Sequence, residues 1–240
     1  DGIDFWSDQT DGRVRQKKWY CYVDGDAESI MASSTGWYAE DGTKCMEQEL
    51  IVAMIPMLDG EYVLEFQITM RPSKGTEKVL LGKTNFGFLA VRVAKTLSVH
   101  FGGGQISDSE KRKGERDIFG KRARWMDYSG PVAVGKGAGR RVAVEGITYF
   151  DHPNNPRYPT HWHVREDGWM GASFCMETPM TLTRAKSLTL RYLLHVHGGP
   201  YDTKDAQDVH DAFSRRPGFR ITTSTRPHQQ YTVARSVQTD

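Results

Sequence analysis

The sequence predicts an all-β protein, an antiparallel β-sandwich with one helix appended near its C-terminus. Apolar and polar residues alternate with a period of two along most of the chain, as in strands with one buried face. Turn signals such as "LDGE", "RPSKG" and "HPNNP" separate these stretches at short intervals. No helical pattern lies between them, which argues against a βαβ arrangement with a parallel sheet.

The alternating stretches follow one another from one end of the chain to the other. In "EYVLEFQITM", apolar side chains from Tyr62 to Met70 fall on one side, while Glu61, Glu65 and Gln67 fall on the other, which predicts a half-solvated strand. The other predicted strands are "WYCYV" from Trp19, "CMEQELIVAM" from Cys45, "FGFLAVRV" from Phe86, "RVAVEGITYF" from Arg141, "GASFCM" from Gly171 and "LTLRYLLHVH" from Leu188.

The helix is predicted from Thr203, in "TKDAQDVHDAFSRRPG". It has a capping residue and acids in its first turn, two apolar residues four apart (Val209 and Phe213), arginines in its last turn, and then Pro-Gly as a stop signal. Neither an internal repeat nor a long linker is evident. We therefore expect one domain over residues 1–222, followed by a poorly specified tail over residues 223–240.

Composition narrows the classes of partner. The 32 Lys and Arg residues nearly balance the 30 Asp and Glu residues, so the net charge of +2 gives no general attraction to nucleic acid or to a membrane surface. The longest apolar run, "LIVAMIPML", is well short of the ~20 residues of a membrane-spanning helix. We expect a soluble protein without nucleic-acid or membrane partners, in the cytoplasm, the periplasm or outside the cell. The three cysteines lack CxxC spacing and are predicted to be buried thiols.

Two basic segments are weak candidates for anion binding. "GPVAVGKG", from Gly130, lacks the hydroxyl residue of a phosphate-binding loop, and a strand pattern follows it where that motif needs a helix, so we predict a hairpin loop and no nucleotide cofactor. The run "SEKRKGERDIFGKRARW", residues 109–125, is typical of a solvated loop, with an anion-attracting surface as the alternative.

The histidines carry the strongest functional signal. In "YPTHWHVREDGW", His161, His163 and Arg165 share one face of an extended strand, and Trp162, on the opposite face, is predicted to fill the core. In "LRYLLHVHGG", Arg191, His195 and His197 share a face in the same way. If the two strands are neighbours, their imidazoles and guanidiniums converge on one patch, over which the loop residue His152 would hang.

Three interpretations of this patch are open. The histidines could be ordinary surface or core residues, they could bind a metal, or they could act as general acids and bases on a carbohydrate. Arg165 counts against a metal because a guanidinium repels a cation, whereas it binds carboxylates and sugar hydroxyls well. We therefore expect no metal.

Several motifs in fixed order resemble a known family. "NFGFLAVRVA", "GGGQISDSE", "FGKRARWMDYSG", "GITYFDHPNNPRYPTHWHVREDGWMGASF" and "LTLRYLLHVHGG" are similar to an uncharacterised bacterial family catalogued as "methane oxygenase PmoA", over roughly residues 1–200. The resemblance implies a β-sandwich of the galactose-mutarotase kind and a role in carbohydrate metabolism. It also implies that a segment with a His-His-Arg-Gly motif precedes "DFW", so that the domain as written lacks an N-terminal segment.

The resemblance places the family's motifs on Asp151, His152, Pro153, Asn155, His161, His163 and Arg165, with Asp127, Tyr128 and His197 as further candidates. We predict a carbohydrate-active enzyme (an isomerase, lyase or hydrolase) acting on a sugar or a uronate-containing saccharide. His161, His163 and His152 would be catalytic. The substrate would be bound by Arg165, Arg191, His197, Asp127, Tyr128, Asn155 and Trp169. The alternatives are a non-catalytic carbohydrate-binding sandwich and a metal-dependent enzyme with H-x-H ligands.

Overall fold

The computed structural model describes residues 2–7, 9–10 and 12–236, and it confirms a β-sandwich built on antiparallel sheets. The strands are β1 (Arg13–Val23), β2 (Ser29–Tyr38), β3 (Lys44–Pro56), β4 (Tyr62–Pro72), β5 (Lys78–Leu81), β6 (Ala90–Arg92), β7 (Gln105–Asp108), β8 (Trp125–Val134), β9 (Arg141–Asp151), β10 (Trp162–Arg165), β11 (Trp169–Ala172), β12 (Met180–Thr183), β13 (Leu188–Gly198), β14 (Phe219–Thr223) and β15 (Tyr231–Arg235). The helices are α1 (Gly114–Ile118) and α2 (Thr203–Arg215), and short 3-10 segments lie at Leu58–Gly60, Lys95–Leu97 and Gly137–Gly139.

One large sheet organises the molecule. Its eight strands run in the order β1-β2-β3-β4-β13-β9-β8-β7, and their pairings are antiparallel. A second layer consists of the small sheets β10-β11-β6 and β12-β5, and β14 pairs with β15 in a separate hairpin. Strand β13 is therefore central in the large sheet, between β4 and β9.

The main core lies between the two layers. Alternate residues of β13, from Leu188 to Leu194, point into it from the large sheet, while Trp162 and Val164 of β10 enter it from the second layer. Tyr149 meets both sides, since its ring packs edge-on against Trp162 at 4.9 Å and against Tyr192 at 5.4 Å. Trp162 is a core residue, as the sequence predicts.

The opposite face of the large sheet, the face that bears Trp125, Glu65 and His195, is covered rather than solvated. Helix α2 packs on it through Ala206 and Phe213, which form an apolar cluster with Trp125, Phe150, Leu193 and Val63. The β14–β15 hairpin packs beside α2, where Phe219 and Val233 meet Ile51 and Ala53. We call this surface the α2 face.

This cover overturns the expectation of a half-solvated β4. Glu65 is fully buried and forms ion pairs with Arg191, Arg216 and Arg235, at 2.6, 3.2 and 2.9 Å. Gln67 is buried as well, because its amide bonds both the N–H and the C=O of Phe219 at 2.8 Å. The polar side of β4 thus binds the C-terminal elements to the sheet.

The ends of several elements also differ from the sequence prediction. Helix α2 does begin at Thr203, but Asp202 is its cap and accepts hydrogen bonds from the N–H groups of Lys204 and Asp205 at 2.7 and 3.0 Å. After Thr222, where the sequence predicts a poorly specified tail, β15 completes the hairpin. Residues 237–240 of the predicted tail lie outside the described residues. In the described part of the chain, no helix combines the length and the apolarity needed to cross a membrane.

Candidate active site

The two H-x-H pairs lie on opposite sides of the sandwich. Trp162 and Val164 fill the core, so His161 and His163 point outward from the second layer. Leu194 points into the core from β13, so its neighbours His195 and His197 point to the α2 face. The expected convergence of the two pairs is wrong because β10 belongs to the second layer and is not a neighbour of β13.

A cleft opens where β13 ends and α2 begins. Its volume is about 270 Å³, and His195 and His197 form part of its wall. The other lining residues are Met57, Glu61, Thr148, Gly198, Pro200, Tyr201, Asp202, Asp205, Ala206, Asp208 and Val209. Tyr201 is held in the wall by the indole N–H of Trp125, which donates to its hydroxyl at 2.9 Å.

His195 is paired with Glu61. Its Nε2 lies 2.8 Å from Oε2 of Glu61, whose other oxygen accepts the N–H of Gly198 at 2.9 Å. Because a carboxylate accepts, Nε2 carries the proton and Nδ1 presents a lone pair. Nδ1 makes no hydrogen bond to any described residue, although the side chain is more than nine-tenths buried.

His197 is paired with Asp127 in the same manner. Its Nε2 lies 2.9 Å from Oδ2 of Asp127, which also accepts from Thr148 at 2.9 Å, while Ser129 donates to Oδ1 at 2.6 Å. This packing depends on Gly146, where a Cβ would fall 2.5 Å from Cε1 of His197. The two imidazole rings lie with their centroids 5.3 Å apart.

The surroundings shift the two imidazole pKa values in opposite directions. Burial lowers the pKa of His195 below its ordinary value of 6.5, and the bond to Glu61 only partly offsets this. Burial also disfavours the charged form of His197, but the hydrogen bond and the charge of Asp127 outweigh it and raise the pKa of His197. His195 is therefore the imidazole that loses its proton more readily and can act as the base, and His197 is the one that holds its proton more readily, a division of roles typical of acid–base sites.

The predicted catalytic residues His161 and His163 occupy the outward side of the second layer. His161 lies 3.2 Å from Glu177, and His163 is enclosed edge-on by Phe86 and Phe119, whose centroids are 5.0 and 5.3 Å away. Both are over nine-tenths buried, and burial lowers both of their pKa values.

Two predicted substrate-binding residues lie on the same side of the molecule. Arg165 forms an ion pair with Glu115 at 3.0 Å, and Trp169 packs between Arg92 and Trp6. None of the predicted residues on this side lines the α2-face cleft.

His152, the third predicted catalytic residue, is enclosed under α2. It is 1% exposed, its ring packs edge-on against Phe213, and its Nε2 lies 2.9 Å from the Arg191 guanidinium. Burial, followed by the charge of Arg191, lowers its pKa to about 3, so it is neutral. With so little exposure, His152 has no access to a substrate.

The remaining predicted binding residues divide between structure and site. Asn155 bonds both the N–H and the C=O of Arg191 at 2.7 Å, like the edge of a neighbouring strand. Tyr128 is buried in the core and donates to the C=O of Glu166 at 3.0 Å. Asp127 and His197 do meet in the site.

Sequence reasoning missed Glu61 as a site residue and noted His195 without a role. Glu61 precedes β4, and the β4–β13 register, with Val63 opposite His195, brings it beside that imidazole. The sequence does show alternating polar residues in and beside β4 and the H-x-H motif in β13. The register that places Glu61 beside His195, however, cannot be read from either strand alone. Within the described residues, no group of three or more His, Cys, Asp and Glu side chains is arranged to hold a metal ion.

Comparison with known proteins adds the family but no activity. No curated protein and no solved structure matches the chain significantly. Residues 1–211 match the model of a family described as "Family of unknown function (DUF6807)". Because this match covers most of the 240 residues, the chain belongs to that family.

Proposed function

We propose that the protein is a carbohydrate-active enzyme that transfers protons to and from a sugar bound in the α2-face cleft. The observation that carries the proposal is the pair of carboxylate-bound imidazoles, His195 with Glu61 and His197 with Asp127, side by side in the wall of a cleft. Such pairs orient an imidazole and set its protonation state, as general acid–base catalysis requires.

The two imidazoles have different roles in this proposal. Nδ1 of His195 has a free lone pair and accepts a proton from the substrate, while Glu61 stabilises the imidazolium that forms. Asp127 holds the Nε2–H of His197 and raises the pKa of this imidazole, so the proton donated to a substrate oxygen leaves from Nδ1, which otherwise lies 3.5 Å from the carbonyl oxygen of Gly198. A positioned acid or base of this type typically contributes about 10²–10⁴-fold in rate.

The lining of the cleft supports a polyhydroxylated substrate. Hydroxyl and carboxylate groups of Thr148, Tyr201 and Asp202 lie among the apolar surfaces of Met57 and Pro200, a mixture that suits the polar rim and apolar faces of a sugar ring. Ligand pockets commonly measure about 300–1,000 Å³. The cleft, at about 270 Å³, lies just below this range, so it suits a small ligand such as a single sugar ring or the end of an oligosaccharide.

A screen in D₂O tests the proposal. It covers the reactions that proton transfer can catalyse on a sugar, namely anomer exchange, isomerisation and cleavage. The protein is incubated with a panel of monosaccharides and oligosaccharides, and ¹H NMR follows anomer exchange, loss of C–H signals to deuterium, and cleavage products. We expect one of these processes to be accelerated by the wild-type protein.

Variants locate the activity within the molecule. His195→Asn and His197→Asn should each lower the accelerated rate by about 10²-fold or more. The matched control is His100→Asn, an exposed histidine outside the cleft, which should retain the full rate. A rate that survives both cleft substitutions would contradict the proposal, and saccharide binding without any conversion would favour a non-catalytic binding protein.

A further inference from the structure

We infer that the cleft selects uncharged or amino-bearing saccharides and rejects uronates. The inference rests on the proposed function and names the substrate class of the same site. It departs from the sequence-based expectation, which allowed an acidic saccharide held by Arg165 and Arg191.

The charge of the cleft is negative. Glu61, Asp202, Asp205 and Asp208 line it, and none of the described residues in its lining is Lys or Arg. The positive charge of protonated His197 is balanced by Asp127 at 2.9 Å. The N–H groups of Asp205 and Lys204 lower the pKa of Asp202, which is therefore ionised at neutral pH. Lys204 precedes the lining residue Asp205 but does not itself line the cleft, and its ammonium group forms an ion pair with Asp208 at 2.8 Å. A carboxylate on the ligand would meet several like charges.

The arginines that could hold an acidic ligand are engaged elsewhere. Arg191 is 7% exposed and bonds Glu65 beneath α2, and Arg165 pairs with Glu115 on the other layer. In the basic run of residues 109–125, Arg112 pairs with Asp108, Arg116 with Asp117 and Arg122 with Glu177. None of these guanidiniums lines the cleft.

The hydrogen-bonding state of His195 points in the same direction. This side chain is over nine-tenths buried, lines the cleft, and leaves Nδ1 as an acceptor with no partner among the described residues. A sugar hydroxyl or an ammonium group can donate to that lone pair, whereas an ionised carboxylate cannot. The geometry therefore calls for a donor group from the ligand, which a carboxylate placed at this position cannot supply.

Equilibrium binding tests the inference independently of turnover. Glucose, glucosamine and glucuronate, with the corresponding galacto sugars, are titrated into the full chain at pH 7 and low salt, and saturation-transfer NMR gives the affinities. We expect each uronate to bind at least about tenfold more weakly than its neutral counterpart. Added salt should narrow the difference, because it screens charges near the surface.

A charge-neutral variant locates the effect. Asp202→Asn combined with Asp205→Asn keeps a good helix cap and should raise uronate affinity toward that of the neutral sugar. The control pair, Asp26→Asn with Glu77→Gln, makes the same change in net charge at exposed positions outside the cleft and should leave the discrimination unchanged.

The outcomes separate the two proposals. Uronates that bind as tightly as neutral sugars, or more tightly, overturn this inference and leave the proposed enzyme standing. Discrimination without turnover supports the inference and contradicts the enzyme. No binding by any of the sugars contradicts both.

Discussion

At the scale of residues, function follows from what each histidine touches. His152, His161, His163, His195 and His197 are all more than nine-tenths buried, so burial does not separate them. His195 and His197 differ because each is paired with a buried or half-buried carboxylate and also lines a cleft. Sequence alternation identified their shared face correctly, and the family resemblance singled out Asp127. The sheet register shows that Asp127 of β8 and Glu61, which precedes β4, are the carboxylates beside the two rings.

The opposed imidazole pKa values predict a bell-shaped dependence of rate on pH. The rate should fall at low pH as His195 becomes protonated and at high pH as His197 loses its proton, with the two limbs on either side of 6.5. Asp127→Asn removes the charge that raises the pKa of His197, so the alkaline limb should move to lower pH. A pH–rate profile of the D₂O reaction checks this, and an unmoved alkaline limb would argue against His197 as the acid.

Gly146 offers a test of how closely the His197 ring must fit. Gly146→Ala would place Cβ 2.5 Å from Cε1 and 2.6 Å from Nε2 of His197 and closer still to the Ser129 hydroxyl, so both groups that bond Asp127 must shift. We expect a loss of activity of about 10²-fold, with the far-UV circular dichroism unchanged. Gly82→Ala, which meets no atom within 4 Å, is the control. Full activity in Gly146→Ala would show that the ring does not need this position.

At the scale of elements, α2 forms both the cover of the sheet and one wall of the site. Its apolar side packs on Trp125, Phe150 and Leu193, while its cap Asp202 and Asp205 of its first turn line the cleft. The sequence predicted this helix and its first residue, because its capping signals and its i, i+4 apolar spacing are local. It could not show that the helix lies over polar residues of β4 and β13, since that contact is not local.

Phe213 anchors the helix. It is fully buried, its ring packs against His152, and the Arg191 guanidinium lies 5.3 Å above it. Phe213→Ala should lower the free energy of unfolding by about 3–5 kcal/mol, as measured by urea denaturation. Phe213→Leu, which keeps most of the apolar volume, should cost much less. Equal losses in the two variants would indicate that the aromatic contacts, and not the volume, hold the helix.

At the scale of the whole molecule, the β-sandwich could be predicted from the sequence, but the layer to which each strand belongs could not. Period-two alternation in β4, β9 and β13 indicates strands with one apolar face, and the sheet pairs these three strands as antiparallel neighbours. The same pattern in β10 gave no sign that this strand belongs to the other layer. For that reason the sequence predicts His161 and His163 beside His195 and His197, whereas the structure separates the two pairs between layers.

Global stability should depend on pH through Asp151, a 1% exposed carboxyl at the end of β9. Burial raises its pKa from 3.8 to about 7. A carboxyl with a raised pKa in the folded state stabilises the protein fully below its unfolded pKa, and this contribution is lost as the pH rises through the folded pKa, here between about 4 and 7.

Asp151→Asn removes this titration. The stability of the wild-type protein relative to the variant should therefore fall by up to ~4 kcal/mol from pH 4 to pH 8, as measured by urea unfolding at each pH. The comparison cancels His152 and other groups that titrate in both proteins. A difference that stays constant with pH would contradict the raised pKa of Asp151.

The measurement that tests the central claim most directly is an NMR titration of the histidine imidazoles, with and without the saccharide identified in the D₂O screen. We predict that His197 titrates above 6.5 and His195 below it, and that the saccharide shifts the signals of these two rings while those of His161 and His163 stay in place. A reversed order of the two pKa values, or saccharide-induced shifts confined to His161 and His163, would contradict the account.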